Sequence, residues 1–105
     1  MNVHYQELLR SQCYADGTWI DSANGNRIAV VNPASGEVIG SVPALGARET
    51  AAVIEAAHRA WPAWRALTAK ERSRLLRQWY ELIVAHHQDL AVIMTMEQGK
   101  PVAEA

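Results

Sequence analysis

The sequence predicts a mixed chain in which β-hairpins are followed by about three α-helices. Two observations carry that reading. As far as Pro43 the chain is punctuated by turn-forming pairs, Asp16-Gly17 and Asn24-Gly25, set beside β-prone runs. From Ala47 onward apolar residues recur at helical spacing, and near the end Gly99 and Pro101 stand as a helix stop and a helix start.

The first hairpin is expected in "CYADGTWID", because Asp-Gly supplies the positive φ angles of a tight two-residue turn. "SANGNRI" repeats the hairpin-turn signal at Asn24-Gly25, and its less apolar flanks leave a loose loop as the alternative. Next comes "RIAVVNPASGEVIGSVP". Ile28, Val30 and Val31 form a β-branched run, Asn32-Pro33 ends it, and Gly36 turns the chain into a second strand over Glu37 to Val42. Pro33 and Pro43 have no amide proton and belong at strand ends.

In the back half Val53, Ala56, Ala57, Ala60, Trp61 and Trp64 share one helical face, with Arg48, Glu49, Glu55 and Arg59 elsewhere. Pro62 should stop or kink this helix, since its ring collides with the preceding turn. Thr68-Ala69-Lys70-Glu71 has the pattern of a capping box and should start the second helix. Leu75, Leu76, Trp79, Leu82 and Ile83 make its apolar stripe, with Lys70, Arg74, Arg77 and Glu81 on the wetter side. A third helix carries Leu90, Ile93, Met94 and Glu97 as far as Gly99, and Pro101 should be the first residue of another.

Composition excludes several classes. Half of the 105 residues are hydrophobic, which excludes a disordered chain. Ten basic against eleven acidic residues leave a net charge of -1, which argues against a nucleic-acid or acidic-membrane binder. The single cysteine, Cys13, points to a reducing cytoplasm, and the polar start "MNVHYQELLRSQ" lacks a signal-peptide core. Adjacent His86 and His87 diverge by about 100° on a helix and cannot grip one metal. His4 and His58 have no partner at ligand spacing. Cys13 reads as a strand residue, with neither a helix N-terminus nor a base to activate it. "ASGEVIG" does not open a helix after a strand, so it is no dinucleotide fingerprint. The cluster Lys70, Arg72, Arg74, Arg77 reads as a solvated helix face, and the tryptophans as core. No catalytic, cofactor-binding or metal residue is assigned on these grounds.

The ordered series "YADGTWID", "VVNPASGEVIGSVP", "AAHRAWPAWRALTAKERSRLLRQWYELI" and "MTMEQGKPVAEA" resembles the N-terminus of the aldehyde dehydrogenase superfamily. "PAWRALTAKERSRLLRQWYELI" followed by "TMEQGKP" is most similar to the succinate-semialdehyde dehydrogenase branch, whose wording glutarate-semialdehyde and other ω-oxo-acid dehydrogenases share. The resemblance implies an α/β parent with a Rossmann-type coenzyme domain, of which residues 1–105 would be the incomplete N-terminal part, roughly the first fifth. It implies oxidation of succinate semialdehyde to succinate with NAD or NADP, in a homo-oligomer, dimer or tetramer.

In that family a cysteine thiolate attacks the aldehyde, hydride passes to the coenzyme, and a glutamate base assists thioester hydrolysis. The residues that do this lie downstream of Ala105, so none is carried onto this chain, and the segment alone should be inactive. Several relatives hold an alkali cation at the end of the "VVNP" strand, which makes Val30, Val31 and Glu97 candidates. Glu97 is equally consistent with a helix-end residue near solvent, so no metal site is assigned. The competing expectation is a complete small α+β domain that binds a protein partner through apolar helix faces. So few elements bury little surface, and such a domain would leave those faces exposed.

Overall fold

A computed structural model describes residues 4–105; Met1, Asn2 and Val3, which begin the polar N-terminal stretch, lie outside the described residues. The elements run β1 (Cys13–Ala15), β2 (Thr18–Ile20), β3 (Arg27–Val31), β4 (Val38–Pro43), α1 (Ala47–Ala66), α2 (Ala69–Ala85) and α3 (His87–Gln98). Short 3-10 turns occupy Tyr5–Glu7 and Val102–Glu104.

Asp16 and Gly17 adopt φ of 52° and 75°, the all-positive pair of a type I′ turn, and so β1 pairs antiparallel with β2, Tyr14 opposite Trp19. Those two rings meet edge to face at 5.1 Å. In the second hairpin β3 pairs with β4, Ile28 opposite Val42, with a bulge between Val30 and Val31. Gly36 at φ 76° closes its turn, and its N–H donates to the Asn32 carbonyl at 2.8 Å. The hairpins are two separate two-stranded sheets. Asn24-Gly25 is therefore the loop between them. The Gly25 N–H donates to the Ser22 carbonyl (3.2 Å), and the buried Ser22 hydroxyl donates to the Asn26 carbonyl (2.7 Å).

Helix α1 continues through Pro62 and leaves helical geometry at Leu67, where ψ is 147°. Of the two expected outcomes at Pro62, a stop or a kink, the stop is corrected. One N–H is lost, so a single helical bond to the carbonyl of the exposed His58 is missing while the rest of the helix is kept. Thr68 then caps α2 as expected: its hydroxyl accepts from the Glu71 N–H (3.2 Å), and the Glu71 carboxylate accepts from the Thr68 N–H (2.8 Å). Gly99 ends α3 in the left-handed region at φ 85°, donating to the Thr95 carbonyl at 2.9 Å. Pro101, expected as a first helical residue, instead has extended ψ (140°) and precedes the turn at Val102–Glu104. Its carbonyl already accepts the N–H of Ala105 at 3.1 Å, the bond that closes a first α-helical turn.

The layout is a plate of 47 × 38 × 20 Å with a radius of gyration of 16.8 Å, against about 13 Å for a compact domain of this length. Its surface is 8124 Å², where a closed 11.6 kDa monomer would show about 5,800 Å². Among the described residues no side chain is fully buried, and Ser22, Pro43 and Ala91 are the most enclosed. The expectation that the tryptophans form a core is corrected. Trp19, Trp61 and Trp79 are exposed, Trp79 at 63 %, and Trp64 is half-buried. One layer of helices with no sheet laid on it leaves its apolar stripe open. Among the described residues no helix is long and apolar enough to cross a membrane.

Candidate functional site

The C-terminal end of α3 lies against the turn after β3. A Cβ built on Gly99 would come within 3.0 Å of the Pro33 ring, so only glycine lets the two segments approach this closely. The N-terminal segment runs along the same seam. Together they enclose a half-open cavity of about 210 Å³, lined among others by Leu9, Arg10, Val30, Ile93, Met96 and Glu97.

Val30 and Glu97, two of the three residues implied as cation ligands, thus face one cavity. Val31 does not line it and follows at the bulge. Carboxylate and carbonyl oxygens suit a hard cation, but one carboxylate and a bulged strand fall short of the six or so oxygens it collects. Arg10 also lines the cavity, with its guanidinium turned to the Glu7 and Leu9 carbonyls. The candidates do not complete a cation site by themselves. Among the described residues no three His, Cys, Asp or Glu side chains gather as a metal would need.

Cys13 sits in β1 opposite Ile20, half-buried. His86 forms the junction of α2 and α3 with φ -113° and ψ 16°. His87 Nδ1–H donates to the Val84 carbonyl at 2.9 Å, a role that fixes the tautomer, since a carbonyl only accepts. Gln88 then donates to His87 Nε2 at 3.2 Å, so both ring nitrogens are held by the junction. Gly36 turns into β4 and not into a helix. In the basic cluster Lys70, Arg74 and Arg77 are exposed, and Arg77 lies 4.8 Å over the Tyr80 ring and 3.5 Å from Glu81. Arg72 departs from the solvated-face reading: it is half-buried and its Nε has no partner.

Sequence reasoning missed the part played by residues 4–12. The His4 N–H donates to Asp89 across 85 positions of chain, and Arg27 reaches Ser11, Asp21 and Ser41. No local pattern announces such partners.

Similarity to known proteins is extensive. The pattern of the "Aldehyde dehydrogenase family" matches residues 19–105. Over all 105 residues the chain is 57% identical to a glutarate-semialdehyde dehydrogenase of Pseudomonas aeruginosa and 55% identical to an NADP(+) succinate-semialdehyde dehydrogenase of Escherichia coli. It spans 22% of the length of each. Among solved structures, an NADP dependent enzyme of E. coli superposes with a TM-score of 0.92 at 54% identity, over 98% of this chain and 21% of that one. A succinate-semialdehyde dehydrogenase from Burkholderia pseudomallei gives 0.92 at 48% identity, over 99% of this chain and 22% of that one. The chain therefore belongs to the aldehyde dehydrogenase family.

Proposed function

We propose that residues 1–105 form the N-terminal part of the coenzyme-binding domain of a semialdehyde dehydrogenase that oxidises succinate semialdehyde to succinate with NAD or NADP. The observation that carries this reading is the uncovered apolar face of α2, with Leu76, Trp79, Leu82 and Ile83 all exposed. Relatives 55–57% identical to the chain are several times longer, which supplies the mass to cover that face. Names among the relatives include both glutarate- and succinate-semialdehyde dehydrogenase, so glutarate semialdehyde is the rival substrate. A non-catalytic partner-binding domain is not favoured, since these relatives are named as dehydrogenases.

In this proposal the segment is scaffold. Its helices lie along the coenzyme domain, while the coenzyme, which accepts hydride when bound, and the catalytic groups are held by other parts of the protein. A cytoplasmic location, supported by the lone Cys13, and a homo-oligomeric state belong to the same proposal.

The test is steady-state coenzyme reduction by the purified full-length protein with succinate and glutarate semialdehydes, each with NAD and with NADP. The reading expects the highest kcat/KM on succinate semialdehyde. A higher value on glutarate semialdehyde would reassign the substrate. Inactivity on both, with activity on an unrelated aldehyde, would end the ω-oxo-acid reading.

A further inference from the structure

We propose that residues 4–12 are a strap that closes the cavity between the β3–β4 hairpin and α3, with Arg27 as its latch. The segment contributes no strand and a single 3-10 turn, Tyr5–Glu7, so little local structure holds it in place. It is held instead at its two ends. At the start, the His4 N–H donates to Asp89 Oδ1 in the first turn of α3 at 2.7 Å. At the finish, Arg27 donates to the Ser11 carbonyl, and Gln12 Nε2 donates to Asp21 Oδ2 at 2.8 Å.

Arg27 is suited to a latch because its planar guanidinium fork serves several partners at once. Nη1 donates to Asp21 Oδ1 at 2.8 Å, Nε to the Ser41 hydroxyl at 2.9 Å, and Nη2 to the Ser41 carbonyl at 3.0 Å. One side chain in β3 therefore ties together β4, the chain after β2 and the strap. A lysine, with one compact ammonium, cannot reproduce the fork.

Between the tethers the strap is a wall. Leu9, Arg10 and Ser11 line the cavity together with Val30, Met96 and Glu97. Arg10 is folded back on the strap, Nη1 donating to the Glu7 and Leu9 carbonyls at 2.8 and 2.9 Å, with its guanidinium 5.4 Å from the Trp19 ring. The tethers are polar and solvent-exposed, so the strap lies at the low-stability end of the fold and opens while hairpins and helices stay formed. Opening uncovers Met96, which is half-buried with the strap in place.

Two readouts in the full-length protein test this, neither dependent on dehydrogenase activity. Tryptic cleavage after Arg10 reports release of the strap. Peroxide oxidation of Met96, relative to the already exposed Met94, reports opening of the cavity. In Arg27→Gln both should rise several-fold, and Arg27→Lys should fall between it and wild type, while oxidation of Met94 and cleavage after Arg59 stay unchanged. If Arg27→Gln does not fold, Gln12→Ala and Asp89→Ala each remove one exposed tether and should raise the same two rates. Unchanged Arg10 cleavage and Met96 oxidation in the folded variants would overturn the proposal. So would a parallel rise at Met94 and Arg59, which would mean general loosening.

Discussion

Gly99 is a single residue with two separate reasons to be glycine. Its φ of 85° is left-handed, and a Cβ would meet Pro33 at 3.0 Å. Gly36 shares the first reason, at φ 76°, but has open space around it. Gly36→Ala should therefore cost about 1 kcal/mol from backbone strain alone. Gly99→Ala should cost measurably more, and Pro33→Ala should recover part of the difference. Chemical denaturation of Gly36→Ala, Gly99→Ala, Pro33→Ala and the Gly99→Ala/Pro33→Ala double variant checks this, and equal losses at the two glycines would show that Pro33 gives way freely. Thr68 is a simpler case. Its hydroxyl is the acceptor for the Glu71 N–H, so Thr68→Ala should lose about 1 kcal/mol and Thr68→Ser little. Identical melting of both variants with wild type would remove Thr68 from the cap.

At the scale of elements, α1 is the informative one. Proline in a helix interior is about 3 kcal/mol less favourable than alanine, yet α1 runs from Ala47 to Ala66 with Pro62 inside. Pro62→Ala restores an N–H to the His58 carbonyl and should raise the unfolding midpoint of the full-length protein by an amount within that limit. A lowered midpoint would mean that the proline ring itself is needed where α1 docks. The hairpins were legible from Asp16-Gly17 and Gly36 because a turn is decided by two or three φ angles. Their separation into two sheets was not, since nothing local to Asn24-Gly25 states whether the flanking strands pair with each other. In the same way, the bulge at Val30/Val31 depends on the opposing strand and has no signature in β3 alone.

At the scale of the molecule, the surplus surface makes two predictions that depend on each other. Trp79 is 63 % exposed in the isolated chain, so Trp79→Ala should barely change its unfolding. In the full-length protein the same truncation should cost about 3–5 kcal/mol, the loss typical of a buried aromatic. Equal effects in both settings would show that nothing covers the α2 stripe. Residues 1–105 expressed alone should self-associate, bind a hydrophobic dye and bind no coenzyme. Gel filtration, thermal melting and calorimetry check these together. A monomer with a sharp melt would contradict the open layout, and coenzyme binding would contradict the scaffold role.

The sequence by itself determined the turns at Asp16-Gly17 and Gly36, the capping box at Thr68, the stop at Gly99 and the three helices, as well as membership of the family. Each rests on interactions within a few residues or on a long ordered match, and both survive without knowledge of the rest of the fold. Only the tertiary structure decided that α1 passes through Pro62, that the tryptophan faces lie open, that Val30 and Glu97 share a cavity, and that Leu9, Arg10 and Ser11 line it with Arg27 bonded to the Ser11 carbonyl. Those features arise from contacts between residues as far apart as His4 and Asp89, and such pairs leave no periodicity or motif. Local chemistry writes the elements into the chain, and the packing of distant segments decides which of their faces meet.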